Sequence, residues 1–225
     1  MGWLIAAPVA GLAVLLALTP IIDARRQKIL RRCLRDVCDI LNREGVDYWC
    51  DYGTLLGYYR DGDVIRTDYD IDLCLLLSEK PKVIGLRQAF KDRGYTLADT
   101  NGTTKLVVRI TDDRTWYYVD MYAYVSDGAM LRSTFRPVED VPGALVANRV
   151  LTSFLETTIR VPQDIEPLLL HRYGPGFRTP RRADQGLAYG YSSIEMFKRL
   201  IENNGVGVWS MLRTMAMGPR QPKGS

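Results

Sequence analysis

The chain reads as a mixed α/β (α+β) domain set behind an N-terminal membrane-anchoring helix. Three observations carry that reading. Residues 1–22 contain no charged side chain, residues 24–43 repeat apolar side chains at helical spacing, and the stretches that follow alternate short β-like runs with short helical ones. No internal repeat or low-complexity tract interrupts the pattern. The 225 residues are 47% hydrophobic and 25% charged, enough apolar content to bury one full core.

The elements follow in order. About 20 apolar residues cross a bilayer as helix, and residues 3–22 reach that length despite Pro8 and Pro20, with Arg25, Arg26, Lys28, Arg31 and Arg32 just beyond. A cleaved leader would show a basic start and a small-residue cleavage site, and neither is clear, so a single-pass anchor over 1–23 is expected. Ala24–Arg43 places Ile29, Leu30, Cys33, Leu34, Val37, Ile40 and Leu41 on one helical face, with Gly45 as its stop. Asp47–Tyr52 alternates like a strand and Leu55–Arg60 looks helical. Asp70 begins a further strand, Pro81–Arg93 is a helix stopped by Gly94, and Lys105–Ile110 with Trp116–Val125 reads as a hairpin turning at Thr111–Arg114. Thr157–Val161 is a strand and Ile165–Tyr173 a helix, with short helices at Ser193–Asn203 and Val208–Met215 and a flexible tail over 218–225.

The chemistry is concentrated in DYGTLLGYYRDGDVIRTDYDIDLCL, residues 51–75. Side chains two apart on a strand face the same way, so Asp70 and Asp72 project together while Ile71, Leu73, Leu75 and Leu77 turn to the other face. Adjacent carboxylates repel unless a positive charge lies between them, and in phosphate-handling sites that charge is commonly a divalent metal. Gly53-Thr54 lies 17 residues before Asp70, at a strand-to-helix turn where backbone N–H groups and a small side chain suit a phosphate. The hairpin would carry Asp120 back toward the same strand. Glycine-threonine, a short helix, a loop and then Asp-x-Asp on a strand is the layout of the nucleotidyltransferase fold.

The run GTLLGYYRDGDVIRTDYDIDL resembles the signature of the LicD/fukutin family, commonly GTLLG-x-x-R-H-G-x-x-I-P-W-D-x-D-I-D, and its D-Y-D form is like that of fukutin-related proteins. VPQDIEPLLLHRYG, residues 161–174, is similar to the family's later Val-Pro, helix, Tyr-Gly pattern, and YVDMY, residues 118–122, places Asp120 where the family carries a third acid. Together these blocks cover roughly residues 30–180, and three ordered matches are far more specific than a lone Asp-x-Asp. Asp61 stands where the family usually has His, and Arg66-Thr67 where it has Pro-Trp.

The resemblance implies a nucleotidyltransferase-like mixed sheet flanked by helices over 24–217, and an enzyme that moves a phospho-alcohol of the ribitol phosphate or phosphocholine type. The donor would be CDP-linked, the acceptor a glycan hydroxyl, and CMP the leaving group. Asp70, Asp72 and Asp120 would be the catalytic carboxylates and the ligands of Mg²⁺ or Mn²⁺, with Gly53, Thr54, Arg60 and Asp68 around the donor phosphates. The residues by themselves support metal-dependent transfer of a phosphorus-containing group. Two alternatives stand beside this: transfer of a nucleoside monophosphate from the same site, and a non-catalytic member that stabilises another transferase. Fukutin-like relatives imply an ER or Golgi membrane with the domain in the lumen, whereas the basic flank after residue 22 argues for the cytosolic side.

Plainer readings accompany several candidates. Asp70 and Asp72 could form a solvated strand face, Asp120 could be an exposed hairpin acid, and Arg60 could pair with Asp61 or Asp63. His171, the one histidine, reads as a surface or capping residue, Tyr173-Gly174 as a helix end, and Trp116, Tyr117 and Tyr118 as hairpin packing. The net charge of +4 is scattered, without a basic run, which argues against a nucleic-acid partner. Cys33, Cys38, Cys50 and Cys74 lack metal-ligand spacing and read as reduced, buried thiols, with Cys74 reaching the apolar register only if a bulge intervenes.

Overall fold

The computed structural model describes residues 3–100, 105–111 and 117–180, with the side chains of residue 21 and of 23 onward. Residues Met1–Asp113 and Tyr117–Arg178 form one compact unit; Arg114–Trp116 and Thr179–Ser225 belong to a second. The helices expected at 193–203 and 208–215, the tail, and the domain boundary at 217 lie outside the described residues.

α1 runs Trp3–Arg43. Its C-terminal half buries Leu30, Cys33, Leu34, Val37, Cys38, Ile40 and Leu41 at helical spacing, and they join the core cluster beneath the sheet. The helix stops as the sequence predicts: Gly45 takes φ +65°, and its N–H and that of Val46 return to the carbonyls of Asn42 and Leu41. Among the described residues no helix is long and apolar enough to cross a membrane. Of the anchor expected over 1–23, residues 3–23 are backbone of α1, and residues 1–2 with the side chains of 3–20 and 22 lie outside the described residues.

β1 (Tyr48–Cys50) leads into α2 (Tyr52–Leu56), which passes into a wider turn of helix over Gly57–Asp61. β2 (Asp70–Leu76) is followed by α3 (Lys80–Gly85) and α4 (Arg87–Asp92). Where the spacing predicts one helix over 81–93 there are two. Gly85 weakens the helix at its centre, and Leu86 leaves helical geometry at φ −85°, ψ 9°. Then come β3 (Tyr95–Asp99), β4 (Lys105–Ile110), β5 (Tyr118–Asp127), β6 (Met130–Ser133) and β7 (Val141–Pro142). β8 (Arg149–Phe154) and β9 (Thr157–Pro162) form a separate hairpin, and α5 (Ile165–Tyr173) ends the described unit.

The main sheet is ordered β1-β2-β5-β4-β3, with β6 and β7 continuing from the end of β5. It is mixed, as expected. β2 and β5 are parallel, whereas β1–β2, β3–β4, β4–β5 and β5–β6 are antiparallel. The predicted hairpin pairing is present as β4–β5, with Leu106 opposite Met121 and Val108 opposite Val119. β3, β6, β7 and β8 are additional strands that the pattern did not single out.

The β2 ladder is continuous, so no bulge carries Cys74 to the apolar face. Cys74 stays on the Asp70–Asp72 side and is fully buried, with its Sγ 3.7 Å from Asp51 Oδ2. Cys33, Cys38, Cys50 and Cys74 are all buried, as expected of core thiols.

Candidate active site

The parallel pairing of β2 with β5 sets the site. Asp72 lies directly opposite Asp120, and Asp70 opposite Tyr118. Both strands alternate, so Asp70 and Asp72 share a face with Tyr118, Asp120, Tyr122 and Tyr124, while Ile71, Leu73, Val119 and Met121 go to the other side. One carboxylate oxygen from each of Asp70, Asp72 and Asp120 lies within 4.8 Å of the others. The convergence expected of these three acids is therefore present in the tertiary structure.

The loop before β2 is held by α1. Arg26 donates to the Arg66 carbonyl at 2.8 Å, Gln27 to the Val64 carbonyl at 3.1 Å, and Arg31 pairs with Asp63. Arg66 in turn pairs with Asp23 at 2.8 Å. The Arg66-Thr67 segment is thus fastened to the first helix by polar contacts.

Gly53 and Thr54 face inward. The Gly53 N–H donates to Asp72 Oδ2 at 3.2 Å, and the Asp72 N–H donates to Thr54 Oγ1 at 2.8 Å. A phosphate cradle at the start of α2 was expected, but this helix has five residues and its first polar groups are committed to positioning Asp72. Glycine is required by space here. A Cβ at Gly53 would overlap the Asp68 carboxylate and lie 3.4 Å from Asp72 Oδ2. Gly57 is constrained similarly, since a Cβ there would meet the Asp63 carbonyl oxygen at 2.5 Å.

The electrostatics are those of crowded acids. Burial pushes the Asp72 carboxyl well above its usual range, and Asp70, Asp120, Asp68 and Asp51 push it further. Asp68, half-buried beside Asp70, is raised to about 7 even though Arg60 and Arg26 oppose the shift. Asp120 is raised by burial against the pull of Lys105 and Tyr122. Its two oxygens differ: Oδ2 accepts from Lys105 Nζ and, at 3.1 Å, from the Tyr122 hydroxyl, whereas Oδ1 is buried with no partner among the described residues. A buried, unsatisfied carboxylate oxygen inside an all-oxygen acidic cluster fits a hard divalent cation.

Arg60 pairs with its neighbour in sequence. Its fork is taken by Asp61, Nε to Oδ1 at 2.7 Å and Nη2 to Oδ2 at 2.8 Å, so the residue standing where the family has His occupies the arginine expected to meet phosphate. His171 Nε2 lies 3.0 Å from the Asp140 carbonyl, in keeping with a structural histidine. Tyr117 stacks on Tyr69 with ring centroids 6.5 Å apart, and Trp116 lies outside the described residues.

Two residues escaped the sequence reading. Arg172 inserts from α5 onto Asp51, 3.1 Å from Nε to Oδ1 and 2.7 Å from Nη2 to Oδ2, with its guanidinium 4.4 Å from the Tyr52 ring centre. Burial works against the Arg172 charge, but Asp51 outweighs it and keeps the group firmly protonated. Asp51 also caps α2 by accepting the Tyr52 N–H at 2.7 Å. Tyr52 carries φ +44°, strained for a tyrosine, and is held there by the Arg172 stack and by its hydroxyl on Tyr124 at 2.8 Å. Lys105 is the second. A lysine opening an apolar strand gave no signal, because its meaning depends on the β4–β5 register.

The LicD/FKTN/FKRP family model, nucleotidyltransferase domain, matches residues 45–164, more than half of the chain. The chain belongs to this family. The match includes Gly53, Thr54, Asp70, Asp72 and Asp120 and ends just before α5 and Arg172. Two curated relatives are 28% identical over 158 residues: "Ribitol 5-phosphate transferase FKRP" of Mus musculus and of Homo sapiens. The alignment covers 66% of this LicD-family chain and 32% of each relative, so the chain spans about a third of their length. An uncharacterised protein of Rickettsia prowazekii is 26% identical over 77 residues, 34% of this chain and 29% of that protein. Among solved structures, the lincosamide antibiotic adenylyltransferase LnuA with lincomycin bound aligns at 18% identity and TM-score 0.42, covering 74% of this chain and 90% of that one. ANT(2")-Ia in complex with adenylyl-2"-tobramycin aligns at 13% identity and TM-score 0.45, covering 84% and 96%.

Proposed function

We propose that this LicD-family chain is a metal-dependent transferase that moves a phospho-alcohol, of the ribitol phosphate or phosphocholine type, from a CDP-linked donor to a glycan hydroxyl. The observation that carries the reading is the cluster of Asp70, Asp72 and Asp120, with one carboxylate oxygen of each within 4.8 Å of the others, in which Asp120 Oδ1 is buried and unsatisfied among the described residues. The likeness to ribitol 5-phosphate transferases over 66% of the chain supports the donor class.

Asp70, Asp72 and Asp120 would hold Mg²⁺ or Mn²⁺, which when bound supplies charge neutralisation for the donor diphosphate. The protein's own part is positional. Thr54 and Gly53 fix the backbone and one oxygen of Asp72, Tyr122 orients Asp120, and Arg172 with Asp51 keeps the turn carrying Gly53 in its strained form. Asp120 would also take the proton of an attacking acceptor hydroxyl. The uncharged stretch 1–22 supports a membrane anchor, and the resemblance to fukutin-like proteins suggests the ER or Golgi for it.

The test is product analysis with CDP-ribitol and CDP-choline, a glycan acceptor and Mn²⁺. Release of CMP, abolished by Asp70→Ala or Asp72→Ala, supports the reading. Pyrophosphate from a nucleoside triphosphate would instead mark nucleotidyl transfer. A cellular role that survives Asp70→Ala and Asp72→Ala together would mark a non-catalytic member.

A further inference from the structure

We infer that Lys105 is a resident counter-ion of the acidic cluster, whose positive charge competes with an incoming divalent cation, so that Lys105 lowers the affinity of the site for metal. The inference rests on the metal-dependent reading above. Three observations carry it.

First, Lys105 Nζ pairs with Asp120 Oδ2, an oxygen already held by the Tyr122 hydroxyl at 3.1 Å, while Asp120 Oδ1 has no partner among the described residues. The lysine therefore adds charge more than it adds hydrogen-bond satisfaction. Second, the pair is deep for a lysine: its side chain is 18% exposed and that of Asp120 1%. At that depth an ammonium beside three carboxylates is screened little by solvent.

Third, Lys105 has somewhere else to go. Its backbone pairs with Tyr122, two residues beyond Asp120, so the stem reaches the acid diagonally across the β4–β5 ladder. Nζ lies 4.9 Å from the Tyr122 ring centre, 5.5 Å from Phe135 and 5.8 Å from Tyr118. An ammonium on a flexible four-carbon stem can give up the carboxylate and still keep aromatic faces around its charge. Asp70 and Asp72 remain as the acids that attract the incoming cation, while Arg109, stacked on Tyr118 at 5.2 Å, keeps a second positive charge near β5.

Mn²⁺ titration of the whole chain tests this, with wild type, Lys105→Met and Lys105→Gln compared by calorimetry and by melting curves in chelator and in saturating Mn²⁺. Lys105→Met should bind Mn²⁺ about tenfold more tightly, the lower end of what partners just outside the metal's own ligands contribute. It should also melt lower than wild type in chelator, and the gap should close once metal is bound. Lys105→Gln keeps a donor for Asp120 without the charge and should tighten binding in the same direction; it decides the matter if the Met variant does not fold. Equal or weaker Mn²⁺ affinity in a folded variant overturns the inference and leaves the transferase reading intact. Absence of Mn²⁺ binding in wild type and both variants overturns the metal-dependent reading and the inference with it.

Discussion

Arg172 and Asp51 form a buried, two-pronged ion pair at 3.1 and 2.7 Å, joining the last described helix to the turn that carries Gly53. Asp51 further accepts from Trp49 Nε1 at 3.2 Å and from the Tyr52 N–H at 2.7 Å, so this one carboxylate ties β1, α2 and α5 together. Replacing Arg172 with Met leaves Asp51 charged and buried without its cation. The expected cost is about 3–5 kcal/mol in urea denaturation, because breaking one half of a buried pair strands the other. The double variant Asp51→Asn/Arg172→Met should recover a large part of that loss. An Arg172→Met protein as stable as wild type would mean that Asp51 is adequately held by the turn itself.

Gly53→Ala should disable the site with little effect on the core. The added methyl overlaps the Asp68 carboxylate and crowds Asp72, whose backbone and side chain both depend on this turn. The expectation is a folded protein, by far-ultraviolet circular dichroism, that has lost Mn²⁺ binding and turnover by about 10²-fold or more. Wild-type turnover in Gly53→Ala would show that the loop carrying Asp68 can shift without disturbing Asp72.

Asp72→Asn should separate stability from function. In a metal-free protein it removes one of several mutually repelling buried charges while keeping the shape that meets Gly53 and Thr54. Melting in chelator should show a gain of about 1 kcal/mol, whereas transferase activity falls by orders of magnitude. A loss of stability in chelator would mean that Asp72 is already neutral in the metal-free fold.

The metal-free protein should lose stability as pH rises. Asp68 sits at about 7 when folded, above the ordinary carboxylate value it has when unfolded, because burial and Asp70 outweigh Arg60 and Arg26. The folded state thus binds this proton more tightly than the unfolded state, so the contribution is present at low pH and lost as pH climbs through the folded value. Thermal melts in chelator should fall from about pH 5 to about pH 8, less steeply in Asp68→Asn. A melting temperature that rises over this range in wild type would contradict the placement of Asp68 beside Asp70.

Much of this molecule is legible in its sequence because its signals are periodic and local. The face of α1 from Leu30 to Leu41, its stop at Gly45, the alternation of Asp70 and Asp72, and the hairpin returning Asp120 all follow from side-chain direction on helix and strand. The single helix expected over 81–93 failed at Gly85 and Leu86, where a weak centre let the chain restart as a second short helix. Arg60 was legible as a phosphate candidate and as a partner of Asp61, and the pair with Asp61 is present in the fold.

What the sequence by itself determined is the identity of the acids, the small residue at Gly53 and the order of elements, since these depend on residue type and spacing along one chain. Tertiary structure alone decided the parallel β2–β5 register that sets Asp72 opposite Asp120, the pairing of Arg172 with Asp51 across 121 positions, and the approach of Lys105 to Asp120. Those relationships join charges on different elements. Their strength comes from burial, and no residue carries a mark of its burial until the sheet has closed around it.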